Sequence, residues 1–128
     1  MKYFTSTKIA MLFGITFVAT GVLGFVPNPL VSASGVFEVN AMHNLVHLIT
    51  GAIFIAAATA SKRASRITLQ SVGIAYVVVT VLGFLIEGQM LLGMIHINEA
   101  DKWLHAGLAL AILIAGFVLP KLAEEKSS

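Results

Sequence analysis

Imidazole and carboxylate side chains recur at helical spacing in two parts of this chain. His43 and His47 lie four residues apart in the stretch EVNAMHNLVHLITG, and Asp101 and His105 lie four residues apart in HINEADKWLHAGLA. Residues four apart share one face of a helix, so each pair predicts a stripe of ligating or hydrogen-bonding groups. The chain has no Cys, which leaves imidazoles and carboxylates as the strong metal ligands.

Three interpretations of these stripes are open. The first is structural: neutral histidines pair with one another, with Asn44 or with Asp101, and hold helices together by hydrogen bonds. The second is a divalent metal site, because His43, His47, Asp101 and His105 supply three imidazoles and one carboxylate, which zinc accepts in tetrahedral geometry. The third is haem held between His47 and His105.

An asparagine precedes each stripe, Asn40 before the first and Asn98 before the second. Asn is a preferred N-cap residue, because its side-chain oxygen accepts a hydrogen bond from a free backbone N–H and typically contributes about 1 kcal/mol. Asp101 follows Asn98 by three residues, where a carboxylate favours the positive end of a helix. We therefore predict that Asn40 and Asn98 are helix caps.

The composition is that of a membrane protein. Hydrophobic residues make up 58% of the 128 residues and charged residues 11%, against about a quarter charged in soluble domains. Apolar runs long enough, or nearly so, to cross about 30 Å of hydrocarbon lie near 9–26, 42–60, 67–86 and 103–119. We predict an all-α integral membrane four-helix bundle, with residues 1–128 forming one four-transmembrane domain whose last span stops at Pro120.

The basic residues orient the bundle, because Lys and Arg near span ends tend to remain cytoplasmic. One side of a four-span arrangement collects Lys2, Lys8, Lys62, Arg63, Arg66, Lys121 and Lys126, and the other side has Lys102. Both termini are therefore predicted to be cytoplasmic, with all four histidines at the outer face. Charges distributed in this way form no basic face, which argues against nucleic acid as a partner.

The two halves of the chain resemble each other. GVLGFV aligns with TVLGFL, and GVFEVNAMHNLVH aligns with GMIHINEADKWLH, so that Asn40 matches Asn98 and His47 matches His105. Both halves have the same orientation, which predicts two parallel-repeat helical hairpins about an axis along the membrane normal. Gly51 and Ala109, one turn beyond the histidines, are small and are expected to let the second and fourth helices approach closely.

The chain contains, in this order, VNAMHNLVHLITGAIFIAAA, a basic turn, a YxxxTxLGF span and INEADKWLH. In the order and spacing of these segments it resembles, over roughly residues 20–117, the bacterial family known as domain of unknown function 4383. The resemblance implies a four-helix integral membrane protein and implies no activity, and we expect this protein in the bacterial cytoplasmic membrane. We expect a non-enzymatic protein in contact with the lipid bilayer. Its stripes of small residues would also suit a homo-oligomer or a subunit of a larger membrane complex.

Overall fold

The computed structural model describes residues 5–127, which fold into packed helices with two very short strand pairs, as the all-α prediction requires. Thr5, Asn40, Ser61 and Asn98 are the N-caps of the four long helices. The helices are α1 (Ser6–Leu23), α2 (Ala41–Ala60), α3 (Lys62–Leu85), α4 (Glu99–Leu113) and α5 (Leu119–Ser127), with a π-helical segment, Ile114–Val118, between the last two.

Within the described residues, four helical segments are long and apolar enough to cross a membrane: Ser6–Leu23, Ala41–Ala60, Lys62–Leu85 and Glu99–Ala123. The chain is thus an integral membrane protein. All four helices begin before the apolar runs from which the spans were predicted, because their N-caps precede those runs. Lys2, one of the charges used for orientation, lies outside the described residues.

The helix of the last span does not end at Pro120, where the sequence predicted the span to stop, but continues through the π-helical segment into α5. Proline has no N–H to donate to the carbonyl four residues before it, and its ring clashes with that carbonyl. Here that carbonyl belongs to Gly116, and it accepts a hydrogen bond of 3.0 Å from Nε2 of Gln70 on α3. A local π-helical turn and a neighbouring side chain together accommodate the proline.

The helices pack chiefly as two hairpins, α1 against α2 and α3 against α4. Gly51 is at the closest approach of the first hairpin, where an added Cβ would lie 2.8 Å from the Gly14 carbonyl oxygen. The expectation that Gly51 brings α2 close to α4 is therefore wrong, since its open side is covered by α1. Between the hairpins the core includes Phe17, Phe54 and Tyr76, all buried.

Each hairpin is closed by a loop with a pair of two-residue strands, and the end of the bundle that holds both loops is called the outer end, after the predicted orientation. β1 (Val31–Ser32) pairs in parallel with β2 (Phe37–Glu38), and β3 (Met90–Leu91) pairs antiparallel with β4 (Ile95–His96). The two loops are joined to each other by hydrogen bonds from Asn40 Nδ2 to the Met94 carbonyl and from Asn98 Nδ2 to the Val36 carbonyl, each 2.9 Å long. The loops therefore form one outer layer above the helices.

Candidate metal centre

Three histidines meet at the outer end of the bundle. His43 and His47 lie in the first two turns of α2, and His105 lies in the second turn of α4. Each offers a ring nitrogen, and in the described part of the chain these three nitrogens all lie within 4.8 Å of one another. The three residues are buried, with 2% to 6% of their surfaces exposed.

The imidazole rings contact each other directly. The ring centroid of His43 lies 4.5 Å from that of His47 and 5.5 Å from that of His105, and the latter two are 6.3 Å apart. Tyr76 stacks on His105 at 5.6 Å, and Phe17 meets His47 edge-on at the same distance. The aromatic neighbours exclude solvent from the sides of the cluster.

Backbone carbonyls determine the tautomers of two of the histidines. His43 Nδ1 lies 2.7 Å from the carbonyl oxygen of His96, and His105 Nδ1 lies 2.6 Å from that of Asp101. A carbonyl oxygen only accepts, so each Nδ1 must carry the proton and donate it, which leaves Nε2 of both neutral rings with a lone pair. Metal-ligating histidines are usually held in this way by a partner on the second nitrogen.

His47 is held differently, because its buried Nδ1 has no hydrogen-bond partner among the described residues. The side-chain oxygen of Asn44, one turn away on α2, is likewise buried without a partner in that part of the chain. A buried polar atom left unpaired costs about 1 to 3 kcal/mol. Such atoms are uncommon in folded proteins, and the one on His47 is a ring nitrogen that is not occupied by a protein hydrogen bond in the described structure.

Asp101, the fourth residue of the predicted ligand set, is buried. Its carboxylate is not among the ligand atoms that lie within 4.8 Å of one another, which come from His43, His47 and His105. Its Oδ2 accepts from the backbone N–H of Asn98 at 3.3 Å, while the Asn98 side chain accepts from the Asp101 N–H at 3.0 Å. This reciprocal pair is a capping box. Asp101 therefore contributes to the site through its main-chain carbonyl, which orients His105.

His96 was not a candidate from the sequence, where a loop histidine is most simply interpreted as a surface residue. In the structure its carbonyl orients His43, and its Nε2 lies 2.9 Å from a carboxylate oxygen of Glu38 in the other outer loop. The two residues are 58 positions apart, which is the spacing that also separates His47 from His105. That shared spacing is the sequence signal by which Glu38 and His96 could have been paired.

A cavity of about 350 Å³ adjoins the histidines. It lies between α1, α4 and the first outer loop, and His47, Asp101 and His105 line it together with mainly apolar residues. Phe13, Phe17 and Phe37 contribute aromatic rings to its wall. The cluster is therefore accessible from one side through an apolar space.

This arrangement suits a small divalent ion. Zinc–nitrogen bonds of about 2.0 to 2.1 Å in a tetrahedron place the ligand nitrogens roughly 3.4 Å apart. Nitrogens that already lie within 4.8 Å of one another reach that spacing by ring movements on the order of 1 Å. Three protein ligands would leave one tetrahedral position open.

Comparison with known proteins identifies the chain at the level of a family. The family model described as "Domain of unknown function (DUF4383)" matches residues 8–118. Searches of curated proteins and of solved structures give no match. The matched residues include all four long helices except the first two positions of α1 and hold the whole histidine cluster.

Proposed function

This chain belongs to the DUF4383 family, and since that family is described only as a domain of unknown function, we propose a function from the site itself. The protein is a small integral membrane protein that binds a divalent metal ion at its outer end. The ligands are one ring nitrogen each from His43, His47 and His105, which lie together in the described structure. Asp101 and His96 act as positioning residues through their main-chain carbonyls.

The observation that carries this proposal is the hydrogen bonding of the three rings. Two of them donate Nδ1–H to backbone carbonyls and so present lone pairs on Nε2. The third, His47, buries Nδ1 without a partner among the described residues. A cluster held together only by its own hydrogen bonds would use these atoms, because burying them unpaired is costly. A metal ion accepts lone pairs from all three rings at once.

The donor set favours a zinc-like ion. Neutral imidazoles suit zinc, copper, nickel and iron, whereas calcium and magnesium prefer oxygen ligands. The chain has no Cys to bias the site toward thiolate-bound metals. Zinc is the ion for which three histidines and one open position are a familiar coordination pattern.

Two other roles compete with metal binding. A purely structural role is supported by the ring contacts of 4.5 and 5.5 Å that His43 makes with the other two histidines. Haem between His47 and His105 is less favoured by the geometry. A planar porphyrin held between these rings would need the space beside them that His43 occupies.

Elemental analysis tests the proposal. Protein purified in a mild detergent should contain about one equivalent of zinc or another first-row metal per chain, or should take up one equivalent of added Zn²⁺. Replacing two ligands, with His47→Ala and His105→Ala, should abolish the bound metal. His96→Ala is the matched control, because it removes a histidine outside the ligand set while its main-chain carbonyl still orients His43.

Each result favours one role. A wild-type protein that elutes as a homogeneous species yet neither contains metal nor takes up Zn²⁺ would assign the cluster to the structural role. A Soret absorption band that disappears with His47→Ala would replace the metal with haem. Loss of metal in His96→Ala as well as in the double variant would show that the ligands are wrongly assigned.

Two further features belong to the proposal. The basic residues at the α2–α3 turn, among them Lys62 and Arg63, favour a bundle with both termini in the cytoplasm and the histidines at the opposite face. The matched positions of the two outer loops, which exchange hydrogen bonds through Asn40 and Asn98, support a pseudo-twofold repeat of the hairpins. His47 and His105 would then be equivalent ligands on either side of the axis.

A further inference from the structure

The cavity beside the histidines has a shape and chemistry that the metal site does not use. Along α1 it extends from Leu12 to Thr20, which is about 12 Å at 1.5 Å per residue. Its volume of about 350 Å³ falls in the range of small-molecule binding sites, roughly 300 to 1,000 Å³. The cavity is therefore large enough for a ring and a short hydrocarbon chain.

The mouth of the cavity faces lipid. Leu12 is 66% exposed and Leu104 is 40% exposed, and both line the cavity from helices that cross the membrane. Thr16 lies between them at the rim and is also exposed. Its hydroxyl already donates to the Leu12 carbonyl at 2.8 Å, so the proton of this hydroxyl is not free to bind a ligand. A molecule entering here would come from the bilayer.

The end of the cavity farthest from its mouth is polar, and its side chains determine which ligand head group can bind. His47, Asp101 and His105 lie there, and no Lys or Arg lines the cavity in the described structure. A carboxylate or phosphate head would meet the Asp101 carboxylate without a neutralising cation, which disfavours fatty acids and phospholipids. A neutral oxygen acceptor fits better, because His47 lines the cavity and a neutral imidazole carries one ring N–H that can donate to it.

The wall favours a flat ring. Phe13, Phe17 and Phe37 line the cavity, and aromatic side chains pack well against planar ring systems. We propose that the cavity between α1 and α4 binds a membrane-soluble quinone-type molecule, with its carbonyl-bearing ring among the phenylalanines, a carbonyl oxygen at His47 and its hydrocarbon tail toward the bilayer. This binding does not rest on the metal, and it involves no electron transfer.

The test uses decylubiquinone as probe and decylbenzene as matched control, since the two share a ring and a ten-carbon chain but only the first has carbonyl oxygens. The purified protein in detergent, treated with a chelator, should bind about one equivalent of decylubiquinone in equilibrium dialysis. Decylbenzene should bind at least about tenfold more weakly, as expected for loss of a buried hydrogen bond. Decanoic acid should not compete.

Two variants locate the site. Thr16→Trp blocks the mouth and should lower the affinity for decylubiquinone about tenfold or more, whereas Ile15→Trp, on the same helix at a position 56% exposed and outside the cavity lining, should leave it unchanged. His47→Phe should reduce affinity for decylubiquinone while leaving that for decylbenzene the same. A misfolded bundle would lose affinity for both molecules, whereas loss of one hydrogen bond would lower the affinity for decylubiquinone alone.

Several outcomes would overturn the inference. Equal binding of decylbenzene and decylubiquinone would make the cavity a space for any apolar chain, and tighter binding of decanoic acid would make it a fatty-acid site. Equal effects of Thr16→Trp and Ile15→Trp would place the bound quinone elsewhere. All measurements are made on metal-free protein. Quinone binding would therefore still be seen if the metal proposal failed, and failure of the quinone proposal would leave the metal proposal unaffected.

Discussion

Asn40 and Asn98 each cap the helix of one hairpin and donate a hydrogen bond to the outer loop of the other. Asn40 Oδ1 accepts from the His43 N–H at 3.0 Å, and its Nδ2 donates to the Met94 carbonyl at 2.9 Å. Asn98 Oδ1 accepts from the Asp101 N–H at 3.0 Å, and its Nδ2 donates to the Val36 carbonyl at 2.9 Å. One amide side chain thus begins a helix and joins the two halves of the bundle.

These two roles can be separated by substitution. Asn40→Ser keeps a good cap but is too short to reach Met94, whereas Asn40→Ala loses both interactions. We expect Asn40→Ala to destabilise the protein by roughly 1 to 2 kcal/mol, the cap contributing about 1 kcal/mol and the hydrogen bond about as much. Asn40→Ser should lose about half of that. Thermal unfolding in detergent measures the difference, and equal losses would mean that the bond to Met94 contributes nothing.

Gly24 lies directly against Asn44, so an added methyl group should be destabilising. A Cβ at Gly24 would overlap the Asn44 side-chain oxygen, and Asn44 is 2% exposed and has little room to move. We expect Gly24→Ala to cost about 1 to 3 kcal/mol. At Gly83, its counterpart in the LGF sequence of α3, the nearest atom is the flexible end of Ile97 at 3.2 Å. Gly83→Ala should therefore cost less.

Gly107→Ala completes the glycine series, because an added Cβ there meets nothing within 4 Å. Alanine has a higher helix propensity, so this variant should be neutral or more stable by up to about 1 kcal/mol. Unfolding midpoints measured side by side rank the three variants. A Gly24→Ala protein as stable as Gly107→Ala would contradict the close contact with Asn44.

The hydrogen bond from Gln70 should contribute more to stability when residue 120 is proline than when it is alanine. With Gln70→Leu, the Gly116 carbonyl loses the side chain that bonds to it at 3.0 Å, and we expect a loss of about 0.6 to 1.7 kcal/mol, as for other interhelical bonds in membranes. In a Pro120→Ala background the restored N–H offers the helix another donor, so the same substitution should cost less. Gln89→Leu, an exposed glutamine in an outer loop, is the control. Additive effects of Gln70→Leu and Pro120→Ala would show that the two are not coupled.

Metal binding should stabilise the folded protein. If Zn²⁺ binds the native site and not the unfolded chain, a free concentration 100 times the dissociation constant adds about 2.7 kcal/mol. The thermal midpoint of metal-free wild type should rise with added Zn²⁺, and that of His43→Ala should rise much less because one of three ligands is gone. Mg²⁺, which prefers oxygen ligands, should have no effect at the same concentration. A similar rise in His43→Ala would exclude this residue from the site.

Cysteine labelling tests the orientation, since a chain without Cys gives single-cysteine variants a clean background. Ser34 is exposed in the first outer loop and Lys62 at the α2–α3 turn. In intact cells a membrane-impermeant maleimide should label Ser34→Cys, and it should label Lys62→Cys only after permeabilisation. The reverse pattern would place both termini outside.

The features predictable from this sequence were those fixed by local physics. Apolar length predicted the membrane spans, and the four-residue spacing correctly placed His43 and His47 on one buried helix face. Resemblance to the DUF4383 family held over most of the chain. Asparagine before an apolar run was sufficient to predict where α2 and α4 begin.

The features that sequence reasoning missed depend on distant partners. Gly51 packs against α1 and not α4, which its size alone could not decide. The last helix continues past Pro120, and Gln70, 46 residues away from Gly116, bonds to the carbonyl to which Pro120 cannot donate. The role of His96 depends on loop contacts over 53 and 58 residues. No short-range sequence pattern signals these contacts, and only the Glu38–His96 pair shares the 58-residue spacing of the internal repeat.

The bonds between the outer loops also constrain how the chain can be made. Asn40 and His43 bond to residues 54 and 53 positions further along the chain, so neither bond can form until the second hairpin has been synthesised and inserted. Until then the amide of Asn40 and the imidazole of His43 lack these hydrogen-bond partners. The two hairpins can therefore be joined by these bonds only after the chain has been made as far as Met94 and His96.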